Sequence, residues 1–155
     1  MVKDKISILV SSCDKYSDLW PIFSYFFDKY WSDCVLDKYF LSNVTKCDFK
    51  GFKAVNVGED KGWSANLIKA LDQIDRPYVL ILLDDVFINS NVDNELFNNI
   101  CNEFIENDGN YLKFLSHPKS KFKSTSEHYN VLPKGSLYRS TAVFALWNKE
   151  TLLQI

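Results

Sequence analysis

Two adjacent carboxylates, Asp84 and Asp85, interrupt the apolar run YVLILLDDVFI of residues 78–88. Neighbouring side chains of an extended strand point to opposite faces, so these acids can share a ligand only if the chain turns there. If it turns, a divalent cation such as Mg²⁺ or Mn²⁺ would have to bridge the carboxylates and a diphosphate, which otherwise repel each other. The alternative is that the pair only ends a strand, with Asp85 capping a turn. The pair alone leaves both interpretations open.

Other polar side chains stand where strands are predicted to end. The strand of residues 5–12, KISILVSS, runs into small polar residues, and the strand of residues 38–43, KYFLSN, ends at Asn43. A turn-rich segment, residues 58–66, then leads into a helix. Ligands of open α/β sheets bind outside the carboxyl ends of the strands, so we expect these segments to lie along one edge with the acidic pair.

The pattern of elements predicts an α/β fold. Strands are expected at residues 5–12, 38–43, 53–58, 78–83, 111–116 and 137–147. Helices are expected between them, with one over residues 93–106 and another starting at residue 148. The continuous apolar character of residues 78–83 favours a central strand that is covered on both faces. We therefore predict one domain, residues 1–155, with a Rossmann-like, mostly parallel sheet flanked by helices.

Two helices carry more detailed expectations. The first should be capped by Ser17 or Asp18 and bury one stripe, made of Leu19, Ile22, Phe23, Phe26, Phe27 and Tyr30. The second should be capped by Ser64, with Trp63 just before the helix stapled onto Ile68. Its buried stripe should consist of Leu67, Ile68, Leu71 and Ile74.

Composition excludes several classes of protein. The chain has 155 residues, 46% of them hydrophobic, and a net charge of -2, which suits one globular domain and gives no basic field for nucleic acid. The four cysteines lack zinc-ligand spacing and are expected to be reduced thiols. No segment resembles a signal peptide or a membrane span, which favours the cytoplasm, with at most peripheral contact at the inner face of the membrane.

The apolar strand that ends in an Asp pair follows the G-x-D-x-G-W-x-x-N segment of residues 58–66 and a first strand with a polar end. In these features the chain resembles glycosyltransferases of the GT-A fold, in particular the family 2-like bacterial and viral members. The resemblance extends over most of the chain. It implies transfer of a sugar from a nucleotide-diphosphate donor, UDP- or dTDP-linked, to a hydroxyl of a saccharide or lipid-linked acceptor, as in polysaccharide biosynthesis. It also implies a divalent cation, Mn²⁺ or Mg²⁺, as cofactor.

The same resemblance assigns roles to residues. Asn43 would pair with the base, Asp84 would contact the ribose, and Asp85 would be the metal ligand. The implied nucleotide-binding residues are Ser11, Ser12, Cys13 and Asp14 after the first strand, Asn43 after the second, Asp60, Trp63 and Asn66 around the helix start, and Asp84 after the fourth strand. No catalytic base is assigned.

The chain departs from the family pattern in two places. The usual order of acid, spacer and acid is replaced by Leu83-Asp84-Asp85-Val86, and the family's general base would lie in a segment beyond Ile155. We therefore expect a domain that lacks a C-terminal acceptor segment. These departures favour the alternative function, a non-catalytic GT-A-like module for nucleotide binding or assembly. A phosphoacceptor receiver-like domain is a third alternative, but only Asp14 follows the first strand where that fold needs an acidic pair.

Some candidate residues have two interpretations. Trp63 could stack on a base or sugar, or serve only as a helix-start staple. Asn66 could contact a ligand or face solvent. The basic patch of Lys113, Lys119, Lys121 and Lys123 could meet an anionic acceptor, a lipid phosphate or a membrane surface, or belong to a solvated hairpin. His117 and His128 could act as bases in a mobile loop or be inert.

Overall fold

The computed structural model describes residues 1–49, 51–115 and 119–155. The strands are β1 (Ile6–Ser11), β2 (Asp37–Ser42), β3 (Phe52–Asn56), β4 (Tyr78–Leu83), β5 (Tyr111–Lys113), β6 (Phe122–Lys123), β7 (Asn130–Val131) and β8 (Ala145–Asn148). The helices are α1 (Trp20–Trp31), α2 (Trp63–Leu71), α3 (Asn94–Glu106) and α4 (Lys149–Leu153), with short 3₁₀ helices at Val2–Asp4 and Asp14–Tyr16.

Six strands form one sheet in the order β3-β2-β1-β4-β8-β5, and β6 pairs with β7 in a separate hairpin. The pairs β1–β2, β2–β3 and β1–β4 are parallel, whereas β8 is antiparallel to both β4 and β5. The prediction of an α/β fold with a mostly parallel sheet flanked by helices is confirmed, and the topology is compatible with a Rossmann-like fold.

Alternate residues of the central strands face two apolar layers. On one face of β4, Tyr78, Leu80 and Leu82 join the core residues of α1 and α3. On the other face, Val79 and Ile81 join those of α2. Strand β4 is therefore central and covered on both faces, as its uninterrupted apolar sequence predicted.

The buried face of α1 differs from the predicted stripe. Its buried residues are Trp20, Phe23, Phe27 and Trp31, whereas Ile22 is exposed. The helix presents its largest rings to the sheet, where Trp20 and Phe23 pack on Phe40 with ring centroids 5.2 and 5.9 Å apart. Neither Ser17 nor Asp18 caps the helix, because its N-cap position is Leu19.

The start of α2 was also predicted wrongly. The N-cap is Gly62 rather than Ser64, and Trp63 is the first helical residue. Ile68 is exposed, so it neither receives a staple nor belongs to the buried stripe, which instead includes Asn66 and Ala70. Gly62 has φ 89° and ψ 163°, a conformation essentially restricted to glycine, which lets the chain enter the helix abruptly.

The later elements agree in position but are shorter than expected. The strand predicted at residues 137–147 is reduced to β8, and β5 ends at Lys113. The prediction for α3 is confirmed, with the Asp93 side chain accepting a hydrogen bond from the Leu96 amide at the helix start.

All four cysteines are free, and burial raises the pKa of Cys101 to about 12. Among the described residues, no helix has the length and apolar character needed to cross a bilayer.

Candidate functional site

The strand order reverses between β1 and β4. From β1 the chain passes through α1 to β2 on one side, and from β3 it passes through α2 to β4 on the other side. Helices α1 and α2 pack on opposite faces of the sheet. Such a reversal opens a crevice at the carboxyl ends of the two central strands, which is the usual ligand position in open α/β sheets. Ser11 and Leu83 are register partners there, so Ser12 and Asp84 emerge side by side.

The chain turns at the acidic pair. The Val86 amide donates to the Leu83 carbonyl at 3.2 Å, which places Asp84 and Asp85 at the two central positions of the turn. Asp84 is only 6% exposed, whereas Asp85 is exposed to solvent. The two carboxylates therefore occupy different environments, one inside the crevice wall and one at its surface.

Asp84 is held by a chain of hydrogen bonds from α1. The Trp20 indole Nε1 donates to the Ser12 hydroxyl at 2.6 Å, and that hydroxyl donates to the Asp84 carboxylate. Burial raises the pKa of Asp84, the nearby charge of Asp85 adds to this effect, and the Ser12 hydrogen bond opposes it. Trp20, Ser12 and Asp84 thus form one buried polar unit across the switch point.

Ser11 makes the equivalent contact on the opposite face. Its hydroxyl accepts a hydrogen bond from the Trp63 indole Nε1 at 3.0 Å. Trp63 is 50% exposed, so it remains accessible to solvent at the first turn of α2. The two consecutive serines therefore connect β1 to the first residue of each flanking helix.

The loop after β1 is joined to the end of β2 by Asp14. Its carboxylate accepts hydrogen bonds from the amides of Asn43, Val44 and Thr45 at 2.8, 3.1 and 3.0 Å, and from the Thr45 hydroxyl at 2.8 Å. Partial burial acts to raise the pKa of Asp14, but these hydrogen bonds outweigh it and lower the pKa overall. The carboxylate is a structural clamp between two strand ends.

Asn43 completes this clamp. Its side-chain oxygen accepts from the Asp14 amide at 3.1 Å, and its side-chain nitrogen donates to the Gly58 carbonyl at 3.2 Å. The Gly58 amide in turn donates to the Asn43 carbonyl at 2.9 Å. Asn43 is buried, so a direct contact with a base would have to use the remaining hydrogen or lone pair of its amide.

Asp60 and Asn66 belong to a fourth hydrogen-bonded group, in front of α2. The Asp60 carboxylate accepts from the Gly62 amide at 3.0 Å and from the Asn66 side chain at 2.8 Å. These two bonds, followed by the charge of Lys15, lower the pKa of Asp60. Asn66 is buried, and its side-chain oxygen accepts from the Lys61 amide at 3.3 Å. Its polar groups therefore shape the loop rather than face solvent.

The candidate metal ligand is the exposed carboxylate of Asp85. Among residues 1–49, 51–115 and 119–155, no group of three or more His, Cys, Asp or Glu side chains is placed to hold a metal ion. One or two carboxylates suffice for Mg²⁺, which usually completes its coordination with waters and substrate phosphates. Carboxylate oxygens are the donor type that Mg²⁺ prefers, so Asp85 is the exposed residue of the turn that could hold such a cation.

The structure thus brings the ten predicted site residues to one edge of the sheet. Apart from Cys13 and the exposed Asp85, they belong to four hydrogen-bonded groups, those of Ser12 with Asp84, Ser11 with Trp63, Asp14 with Asn43, and Asp60 with Asn66. Cys13 lies between two of these groups, at the N-cap of the Asp14–Tyr16 helix, and is partly exposed. His128 lies apart, exposed in the connection between β6 and β7, and His117 lies outside the described residues. Of the predicted basic patch, Lys113 lies on β5, where its side chain donates to the Tyr138 carbonyl.

Two contributing residues were missed from the sequence. Trp20 supports Asp84 through Ser12, and Thr45 supplies two of the four donors to Asp14. The sequence contains a hint of the role of Trp20, since a tryptophan also begins the helix after β3.

The sequence matches no protein-family model and no curated protein.

Proposed function

We propose that this domain binds a nucleotide-diphosphate sugar, UDP- or dTDP-linked, at the switch point and transfers the sugar to a hydroxyl of a saccharide or lipid-linked acceptor. The observation that carries the proposal is the acidic turn itself, where a buried carboxylate and an exposed carboxylate stand beside the polar end of β1. The resemblance to GT-A glycosyltransferases supports the same activity.

The different burial of the two acids supports a division of roles. Asp85 is accessible, so it can hold Mn²⁺ or Mg²⁺ together with the diphosphate oxygens. One oxygen of Asp84 accepts from Ser12, so in this proposal the other oxygen is the acceptor for a ribose hydroxyl. When bound, the cation would stabilise the negative charge that develops on the diphosphate leaving group.

The clamps provide a rigid frame for the ligand. Asp14 and Asn43 fix the loops after β1 and β2 relative to each other, and Asp60 with Asn66 fixes the loop before α2. Binding then costs little ordering entropy in these loops. The half-exposed Trp63 offers an aromatic side chain on which a base or sugar can stack.

Calorimetric titration with UDP, dTDP and ADP, each with and without Mn²⁺, tests the binding step. We expect the pyrimidine diphosphates to bind more tightly than ADP and Mn²⁺ to strengthen that binding. Asp85→Asn should abolish the effect of Mn²⁺, since an amide lacks the charge that holds a hard cation beside a diphosphate. Asp75→Asn is the matched control, because Asp75 is exposed just before β4, at the opposite end of that strand.

A second assay follows the fate of a radiolabelled nucleotide sugar with saccharide and lipid-linked acceptors. Nucleotide binding without transfer or hydrolysis would favour the non-catalytic module. Equal or absent binding of all three nucleotides would overturn the proposal altogether.

A further inference from the structure

The acidic turn borders a cavity of about 250 Å³. Leu83 and Val86, whose backbone groups close the turn, both line this cavity. Phe114, just after β5, and Phe144, just before β8, line it as well. We call this cavity the turn pocket. It is continuous with the candidate site because the same two residues bound the acidic turn and form part of the pocket wall.

The strand order places the turn pocket on the flank of β4 that faces away from β1. Ile81 pairs with Ala145 and Ala145 with Lys113, so the end of β5 and the start of β8 lie at the same sheet edge as the end of β4. Strands β8 and β5 follow β4 in the sheet, whereas β1, β2 and β3 precede it. The proposed nucleotide-binding residues other than Asp84 belong to the ends of β1 and β2 or to the segment after β3. An acceptor that meets the nucleotide sugar at the acidic turn therefore approaches from the pocket side.

Aromatic rings that pack on the core form walls of the turn pocket. Phe87 stacks on Phe26 of α1, with ring centroids 5.4 Å apart. Phe114 stacks on Phe97 of α3 at the same distance, 5.4 Å, and also contacts the ring of Phe144 at 5.3 Å. The described residues that line the pocket include none with a charged side chain. Because α1 and α3 support the rings from behind, the pocket is formed before a ligand arrives.

Phe144 reaches its place in the wall through an uncommon backbone conformation. Its φ is 47°, in the left-handed region that bulky side chains rarely adopt. Its carbonyl accepts a hydrogen bond from the Phe114 amide at 3.0 Å, next to the register pair of Lys113 and Ala145. Residues held in such conformations cluster at ligand sites, which supports a functional role for this wall.

The composition of the turn pocket suits a small apolar group. Asn89, Ser90 and Asn91 are exposed polar residues of the lining, and the other described lining residues are apolar. A mainly apolar cavity with a few polar groups is typical of small-molecule sites. Apolar cavities of about 150 Å³ admit benzene, so the turn pocket has room for a substituted ring or a short alkyl chain.

We propose that the turn pocket binds the alkyl or aryl group of the acceptor and so places a hydroxyl attached to that group beside Asp84 and Asp85. This inference rests on the proposed sugar transfer. It specifies that the preferred acceptor carries an apolar group close to its reacting hydroxyl. The size of the cavity favours such a group over a partner protein, since a stable protein interface buries far more surface than this pocket offers.

An NMR titration of the whole chain with 1-butanol, 1-pentanol and 1-hexanol tests the pocket. The amide shifts should concentrate at pocket residues such as Val86 and Leu115, and each added methylene group should strengthen binding about fourfold. Val86→Ser should weaken 1-hexanol binding about fivefold, because it removes apolar wall surface. The matched control is Val35→Ser, which alters an exposed valine just before β2 and should bind like the wild type.

A second substitution guards against a local effect on the acidic turn. Leu115→Ser changes the pocket wall at a position distant in sequence from the turn and should weaken 1-hexanol binding in the same way. The proposal is overturned if the amide shifts lie elsewhere, if affinity does not rise with chain length, or if both pocket variants bind like the control. It is also overturned if Val86→Ser changes the oligomeric state in sedimentation velocity, because copies of the chain would then cover the pocket.

Nucleotides added to the same sample distinguish the acceptor from the donor. UDP with Mn²⁺ should bind without weakening 1-hexanol binding, since the nucleotide occupies the β1 side of the turn. Displacement of 1-hexanol by UDP-N-acetylglucosamine, whose acetyl methyl group is apolar, would assign the pocket to the donor sugar and overturn the proposal. Absence of UDP binding would overturn the proposed transfer and the acceptor role with it, whereas absence of 1-hexanol binding would overturn the acceptor assignment alone.

Discussion

The two consecutive serines after β1 allow a matched test of how the site is built. Ser11 and Ser12 each accept an indole N–H from the first residue of a helix, on opposite faces of the sheet. They differ in what surrounds the contact. Trp20 is 3% exposed and its serine also donates to Asp84, whereas Trp63 is 50% exposed. The same deletion, serine to alanine, should therefore have unequal effects.

The expected magnitudes follow from these contacts. Ser12→Ala removes a hydrogen bond to a carboxylate, worth about 1.5–3 kcal/mol, and leaves the buried Trp20 N–H without its acceptor, so we expect a total loss of about 3 kcal/mol. Ser11→Ala removes one neutral hydrogen bond whose donor can reach water, so we expect a loss of about 1 kcal/mol. The difference, about 2 kcal/mol, corresponds to roughly thirtyfold in the unfolding equilibrium.

Urea denaturation of the two variants and the wild type measures this difference directly. A double-mutant cycle with Asp84→Asn adds a second measure, with a coupling energy of about 1 kcal/mol or more expected for Ser12 and close to zero for Ser11. If Ser12→Ala costs no more than Ser11→Ala, or if both serines couple equally to Asp84, the buried unit of Trp20, Ser12 and Asp84 does not hold the site together as we infer.

Three further predictions concern neighbouring residues. Asp14→Asn should lower the free energy of unfolding by about 1–2 kcal/mol at neutral pH, because an amide nitrogen replaces an oxygen acceptor. This loss relative to the wild type should vanish as pH falls through the lowered pKa of Asp14 in the folded state. Urea denaturation at a series of pH values measures it, with exposed Asp18→Asn as the control. The pKa of Asp84 is higher in the folded protein than in the unfolded chain, so ionisation of Asp84 should destabilise the wild type as pH rises from the unfolded-state pKa through the folded-state pKa. Over that pH range, Asp84→Asn should therefore gain stability relative to the wild type. A constant difference across pH would contradict this. Gly62→Ala should cost about 1–3 kcal/mol through backbone strain alone, since nothing lies within 4 Å of the added methyl group; a thermal melt unchanged from that of the wild type would refute it.

Local signals were sufficient for several elements. Strand β4 is an uninterrupted apolar run, and a segment with no polar position fits only a strand covered on both sides. Helix α3 has an Asp cap and a regular apolar stripe, so its start and end were both predicted. The alignment of the polar strand ends along one edge followed from the parallel topology, which the alternation of strands and helices already indicated.

Other features depended on packing partners that local sequence does not specify. Helix α1 has apolar residues on most of its surface, so its periodicity could not select the face that packs on the sheet. The choice of Trp20, Phe23, Phe27 and Trp31 reflects the shape offered by Phe40 and Phe52 on β2 and β3. Likewise, Gly62 starts α2 because Asp60 bonds its amide and Asn66, a contact that becomes available only once the loop is folded.

The sequence by itself determined that Asp84 and Asp85 stand together at the end of a central strand. Only the tertiary structure decided that Asp84 is buried and Asp85 exposed. The reason is that the partner of Asp84 is Ser12, 72 positions away along the chain, which is brought alongside only when β1 pairs with β4. Two adjacent carboxylates are chemically equivalent in an extended chain, and their different environments arise from the contacts that the folded sheet places around them.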